Sequence, residues 1–290
     1  FKSVNWWIFD GGSLQAVEVD MGNSDSNGYA IRAEFGNNIQ LKNCIIHEGD
    51  YFTLVYFEQV ADFLVEGCTI YNNIAGPNVD GAGIAFRATG GTCSGGIVRN
   101  NTIYGCSSDC VVSLHTSGQP TWLYANIVIE GNILYNTLGA GAENAVDLKS
   151  TNGAIIRNNI TWGWRKNNPA IGGTGAGAVA AFVSHTYSTN TKVTDNIFYD
   201  ISGAAVSMTS GSGEVIGNRC YGGVYENPSG YNTNDRAWFL FYSAAGSSHI
   251  FYNNTVDGRF GGQGHLVSIG ANVTVTARDN ICYQTGTIYL

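Results

Sequence analysis

Glu143 to Trp162, ENAVDLKSTNGAIIRNNITW, is the clearest copy of a unit that recurs along most of the chain. Ala145 to Lys149 alternates, so Val146 and Leu148 point to one side and Asp147 and Lys149 to the other. Ser150-Thr151-Asn152-Gly153 then turns the chain. A second apolar run, Ala154-Ile155-Ile156, leads through Arg157-Asn158-Asn159 into a third short strand, Ile160-Thr161-Trp162, which stops at Gly163. Three short strands joined by tight turns make one coil of a solenoid.

The second half of that unit recurs along the chain. Anchored on the Asn that precedes a strand-forming residue, it aligns with LKNCII at Asn43, VEGCTI at Gly67, VRNNTI at Asn101, IEGNIL at Asn132, VTDNIF at Asn196, VIGNRC at Asn218, FYNNTV at Asn254 and ARDNIC at Asn280. The intervals run from 22 to 37 residues, too irregular for leucine-rich or helical repeats but natural for coils whose turns carry variable loops. A tight bend needs a residue tolerant of left-handed backbone angles, and stacked Asn side chains can hydrogen-bond from coil to coil. The recurring Asn is therefore read as structural, an internal ladder.

The alternating strand, Gly turn and xxNNxI strand resemble the right-handed parallel β-helix of the pectate-lyase-like superfamily, over roughly residues 4 to 289. The resemblance implies an all-β, single-stranded right-handed parallel β-helix of about 9–10 coils, one domain over residues 1–290. VDLKSTNGAIIRNN, an outward Asp and Lys before an Asn turn, is similar to secreted polysaccharide-active β-helices, including lyases that use a lysine as base. That implies a secreted or cell-surface protein. The paired aspartates and the Gly-His-Gly and Arg-Ile-Lys segments of polygalacturonase-type hydrolases do not occur; Gly264-His265-Leu266 is the nearest fragment. The Arg-x-Pro-x-x-Arg signature of the best-known pectate lyases does not occur either.

Composition agrees with strands and turns. The chain of 290 residues has 39 Gly, 4 Pro and only 12% charged residues, little of the Lys/Glu surface that solvated helices carry. A net charge of −8 argues against a nucleic-acid partner, which requires a basic field, yet a locally basic groove still suits an anionic polysaccharide. No apolar run is long enough to span a membrane. The chain opens at Phe1 without an initiating Met, as a processed product or trimmed fragment would. Among the 7 Cys, Cys44 and Cys68 fall at equivalent points of successive coils and stack inside, bonded or packed as small hydrophobes. A disulfide among Cys93, Cys106 and Cys110 is the other candidate, and no Cys/His spacing forms a zinc site.

Trp6 and Trp7 are placed to cover the first coil. Glu18, Asp20 and Asp25 read as a solvated loop rather than a cation site. Insertions at 72–83, 119–124, 164–178 and 225–238 bring the aromatic and amide side chains that a carbohydrate groove uses. Four Asn-x-Thr triplets, at Asn100, Asn159, Asn253 and Asn272, match glycosylation acceptors, and the ladder position of Asn159 argues against its use.

Candidate chemistry lies on the strands that precede the Asn turns. Aligning GIAFRAT from Gly83, VVSLHTS from Val111 and AVDLKST from Ala145 sets Arg87, His115 and Lys149 side by side at a coil spacing of about 4.8 Å, with His185 on the next coil and Tyr242 two further on. Such a basic stripe suits uronate carboxylates. For β-elimination on a uronic-acid polymer, Lys149 is the candidate base, its pKa lowered by flanking cations, with Arg87 and His115 completing the catalytic set. Arg165, His185, Tyr242 and Trp122 are candidate substrate contacts. Asp147 either orients Lys149 or, with Glu143, holds a calcium ion through oxygen ligands. An exposed Asp-x-Lys pair on a strand is also an ordinary surface ion pair.

The leading expectation is a lyase cleaving an acidic, uronate-containing polysaccharide. A non-catalytic carbohydrate-binding or structural surface β-helix, able to self-associate by end-to-end stacking of coils, fits the same repeat. A glycoside hydrolase needs paired acids on one face, for which Glu143 with Asp147, or Asp109 with Asp147, are the candidates.

Overall fold

The computed structural model describes residues 7–12, 17–20, 28–49, 52–74, 81–136, 143–164, 180–201, 203–222, 237–242, 246–257 and 265–283. Every regular element among them is a strand. The strands form three parallel sheets of ten, ten and nine strands, plus a small sheet of three at one corner. The first sheet runs from Trp7–Asp10 to Thr274–Arg278, the second from Val17–Asp20 to Ile281–Tyr283, and the third from Ile31–Asn37 to His265–Ile269. Among the described residues each coil but the last contributes one strand to each, and each inner strand pairs with its counterparts one coil before and after, as Ile155–Arg157 does with Val128–Glu130 and Thr191–Thr194. This is the right-handed parallel β-helix expected from the repeat.

Alternation decides which side chains meet inside. Val146 and Leu148 of Asn144–Lys149, Ile156 of Ile155–Arg157 and Thr161 of Ile160–Trp162 are all buried. Stacked over the coils, such positions form one continuous core that includes Phe57, Phe63, Phe86, Phe182 and Phe239.

Two adjacent positions share the work that one recurring Asn was expected to do. The first takes a left-handed backbone, at Asn43, Asn100, Asn158 and Asn253 with φ of 51–56° and at Gly67, Gly131 and Gly217 with φ of 65–70°. At Gly131 a Cβ would stand 2.6 Å from Asn100 Oδ1, so glycine is needed for space as well. The second position turns inward. There Asn101, Asn132, Asn159, Asn196, Asn218 and Asn254 each donate Nδ2–H to Oδ1 of the next Asn, ending at Asn280, over 2.9–3.0 Å. The same amides donate to core carbonyls such as Val98 and Ile129 O, so buried backbone acceptors at the bend are satisfied.

The alignment at Asn43 and Gly67 is thereby corrected by one residue. Cys68 N–H donates to Asn101 Oδ1, which puts Cys68, and below it Cys44, at the ladder position. All seven cysteines are free thiols, so neither the Cys44–Cys68 bond nor one among Cys93, Cys106 and Cys110 is present. Burial pushes the Cys68 thiol up to about 12.

The three outer faces differ. The first sheet carries a column of alternating charge in which Arg99 Nε donates to Glu66 and Arg157 Nε to Glu130, each over 2.7 Å. The second carries stacked aromatic rings, beginning with His47 on Tyr71 at 4.7 Å. On the third, an apolar row that includes Tyr56, Ala85, Val112 and Leu240 is buried. At the first coil Trp7 stacks on Phe9 and packs against the core, as expected of it. Trp6 and Asp25 lie outside the described residues, as do most of the insertions.

Candidate functional site

Asp147 interrupts the buried row of the third sheet. Its rung partners are Val112 and Val183, and its side chain is only 1% exposed. A carboxylate among apolar neighbours costs several kcal/mol unless it is paired, and here both oxygens are engaged. Lys149 Nζ lies 2.5 Å from Oδ2, two residues along the same strand. His185 Nε2 lies 2.6 Å from Oδ1, reaching across from the next coil, where His185 is the rung partner of Lys149. With Nε2–H donating to Asp147, the lone pair of His185 sits on Nδ1, where Thr186 Oγ1 is 3.2 Å away.

A second carboxyl lies beside the first. Asp109, 3% exposed, is the rung partner of Asn144; it accepts from Asn144 Nδ2 over 3.2 Å and from Ser108 Oγ over 2.9 Å. Burial, then the charges of Asp147 and Glu143, hold its carboxyl well above the usual carboxylate range, against the opposing pull of Lys149.

These charges reverse the expectation for Lys149. Burial alone would lower its pKa, but the Asp147 carboxylate paired with it, and then Asp109 and Glu143, outweigh burial and hold it above the ordinary lysine value. Lys149 is therefore a fixed ammonium rather than a base poised near neutrality.

The expected basic column is also corrected. Arg87 pairs across the rung with Leu114, not His115; the Val111 strand sits one residue away from the register its sequence suggests, and a one-residue slip changes the face. His115 lies one residue beyond the strand and is exposed. Arg87 is separated from Lys149 by the Leu114 rung and turns the other way, to Glu58 Oε1 at 3.5 Å. Glu58 in turn holds Arg32, so Arg87 belongs to a separate ion-paired group.

The remaining candidates scatter. Tyr242 is at the end of Ala237–Phe241, its hydroxyl 2.6 Å from Ser268 Oγ. Trp122 is half-buried against the core edge. Glu143 hydrogen-bonds through its backbone to Ser108 O and acts on the cluster through its charge. Arg165 lies outside the described residues. No three of His, Cys, Asp and Glu among the described residues are grouped to hold a metal ion. With both oxygens of Asp147 committed to Lys149 and His185, these residues do not fit the calcium role. The structure thus adds Asn144, Ser108 and Thr186, whose polar side chains beside a strand of the third sheet were the available signal.

Residues 8–161 match the family described as right handed beta helix region. The chain belongs to that family. No curated protein matches it. Among solved structures, this right-handed beta helix chain is similar to an alginate lyase from Paenibacillus sp. str. FPU-7, at 17% identity and a TM-score of 0.63 over 100% of this chain and 86% of that one. It is similar to a DFA-IIIase from Arthrobacter chlorophenolicus A6 without its lid, at 12% identity and a TM-score of 0.54 over 96% and 62%. It is also similar to PfbA, a surface adhesin of Streptococcus pneumoniae, at 11% identity and a TM-score of 0.52 over 99% and 72%. At these identities the likeness is one of fold.

Proposed function

We propose that the chain is a secreted or surface polysaccharide lyase acting on a uronate-containing polymer, with Asp147, Lys149 and His185 as its reaction centre. The observation that carries this reading is the double engagement of the buried Asp147, by an ammonium on one oxygen and an imidazole on the other. Lys149, held charged, pairs with the substrate carboxylate and thereby acidifies the adjacent C–H. His185, its tautomer fixed by Asp147, takes that proton at Nδ1. The electron pair forms the new C=C bond, the bond from the β-carbon to the glycosidic oxygen breaks, and the departing oxygen takes a proton from the imidazolium. The similarity to an alginate lyase is compatible with this chemistry.

One observation favours a second reading. Asp109 and Asp147 lie on neighbouring strands of one face, and a carboxyl whose pKa is raised by burial and by a neighbouring carboxyl is the kind of group a glycoside hydrolase uses as its acid. Product mass separates the two. Elimination yields fragments lighter by one water than hydrolysis does, and hydrolytic products alone would overturn the lyase assignment.

A further inference from the structure

The outer face of the second sheet takes no part in the cluster around Asp147. Six of its side chains, Tyr71, Tyr104, Tyr135, Trp162, Tyr199 and Tyr221, form one unbroken stack, with centroids 4.5–5.4 Å apart and planes within 7° of parallel. At one ring per coil the stack is about 25 Å long. Stacking uses up the ring faces, so what the column presents to solvent is a row of ring edges. Tyr104 and Tyr135 stack with centroids 4.6 Å apart, and Tyr221 is 44% exposed.

A second column lies two residues earlier on the same strands. Thr102, Ile133, Ile160 and Ile197 are rung partners, and Ile133 and Ile160 are 37% and 36% exposed. None of the outward strand positions from Thr69 to Tyr199 is charged, whereas the neighbouring first sheet alternates Glu66, Arg99, Glu130 and Arg157 over the same coils.

We propose that this face is a non-catalytic binding surface for a single chain of a neutral polysaccharide, laid parallel to the solenoid axis across the stacked ring edges. An anionic polymer gains little on a strip whose one charged outward strand position over the six coils is Arg219, at the Tyr221 end, whereas a neutral glycan meets hydroxyl-bearing edges beside exposed Ile side chains, a pattern that matches its own alternation of O–H and C–H surface. The repeat of the rings suits a polymer that offers one unit per coil. Area argues against a protein partner: two columns over about 25 Å cover roughly 250–300 Å², well under the roughly 800 Å² per partner of a stable protein interface. The surface is distinct from the proposed lyase centre and does not depend on it.

The test is retention on insoluble cellulose, chitin and mannan, comparing wild type with the double variant Tyr135→Thr/Tyr199→Thr. Thr already stands at outward positions of this sheet, and a thermal melt checks that the variant is folded. The expected result is retention of wild type on at least one of these polymers that is unaffected by salt, at least 10-fold weaker in the variant, and unchanged in Lys149→Met. Failure of wild type to be retained on any of them, equal retention of the folded variant, or release by salt would overturn the proposal. So would a wild-type dimer that the variant abolishes, since that would make the face a contact between copies. Loss of lyase activity in Lys149→Met with retention intact would leave the two sites separately testable.

Discussion

His185 Nε2 stands 2.6 Å from Asp147 Oδ1 although the two residues are 38 positions apart in sequence. The contact is diagonal: the rung partner of His185 is Lys149, and that of Asp147 is Val183. One buried carboxylate therefore fixes both an ammonium on its own strand and an imidazole on the next coil. Asp147→Asn keeps the shape and removes the charge, leaving His185 free to adopt the other tautomer. The expected outcome is a loss of turnover of about 10²-fold or more in a protein that still folds but melts at a lower temperature, because the Lys149 ammonium loses its partner, measured by steady-state kinetics beside a thermal melt. A variant with wild-type turnover would remove Asp147 from the reaction.

Lys149 is read as a carboxylate-binding cation. Lys149→Met is expected to abolish turnover, Lys149→Arg to restore part of it, and esterifying the polymer's carboxylates to depress wild-type rates as strongly as the Met variant does. Because its folded pKa is raised, the stabilising ion pair is fully present below the ordinary lysine range and is lost only as pH rises above it. The wild type should therefore lose more stability than the Met variant at strongly alkaline pH, the buried thiols and phenols contributing equally to both.

Acid stability turns on a different residue. His249 is buried against Phe241, and burial lowers its pKa to about 4. An unfolded histidine binds its proton near pH 6.5, whereas the folded one resists protonation until about 4. Stability should fall as pH drops through that interval, by roughly 2–3 kcal/mol for this one group. Denaturant melts of wild type and His249→Phe at pH 7 and pH 4 check this, and an equal loss in both proteins would assign the acid sensitivity elsewhere.

Asn159 sits at the middle of the ladder, accepting from Asn132 and donating to Ile129 O and Asn196 Oδ1. Truncation by Asn159→Ala leaves buried donors and an acceptor without partners and should cost about 2–4 kcal/mol. A urea titration measures it. The burial of Asn159 also predicts that its Asn-x-Thr triplet stays unmodified on expression in a glycosylating host, which peptide mapping would show.

Six of the seven cysteines are buried and Cys282 is half-buried. An aromatic disulfide reagent should therefore find at most one fast thiol in the native protein and seven after denaturation. Fewer than seven on denaturation would reveal a disulfide.

The repeat was legible because two local demands, a left-handed corner and an inward amide, recur at every coil and leave Asn and Gly in the sequence. The facing of Val146 and Leu148 against Asp147 and Lys149 followed from alternation alone. The neighbours of Lys149 did not, because loops between coils vary in length and each strand must be registered separately. Placing Val111 one residue out exchanged Leu114 for His115 and created a basic column that the sheet does not contain. The contact of His185 with Asp147 was hidden for a related reason: it runs diagonally, whereas rung-by-rung alignment pairs His185 with Lys149. The sign of the Lys149 shift is set chiefly by Asp147 on its own strand, with Asp109, whose position beside Asn144 only the paired strands disclose, adding to it.

Elimination at the Asp147–Lys149–His185 cluster leaves an unsaturated sugar at the new chain end. The most direct measurement follows the ultraviolet absorbance of the unsaturated product as the protein is incubated with alginate, pectate and other polyuronates, beside His185→Ala and with a calcium chelator. A steady rise on one polymer is expected, undiminished by the chelator and lost in His185→Ala. No rise on any polyuronate, or a rise that His185→Ala leaves intact, would contradict it.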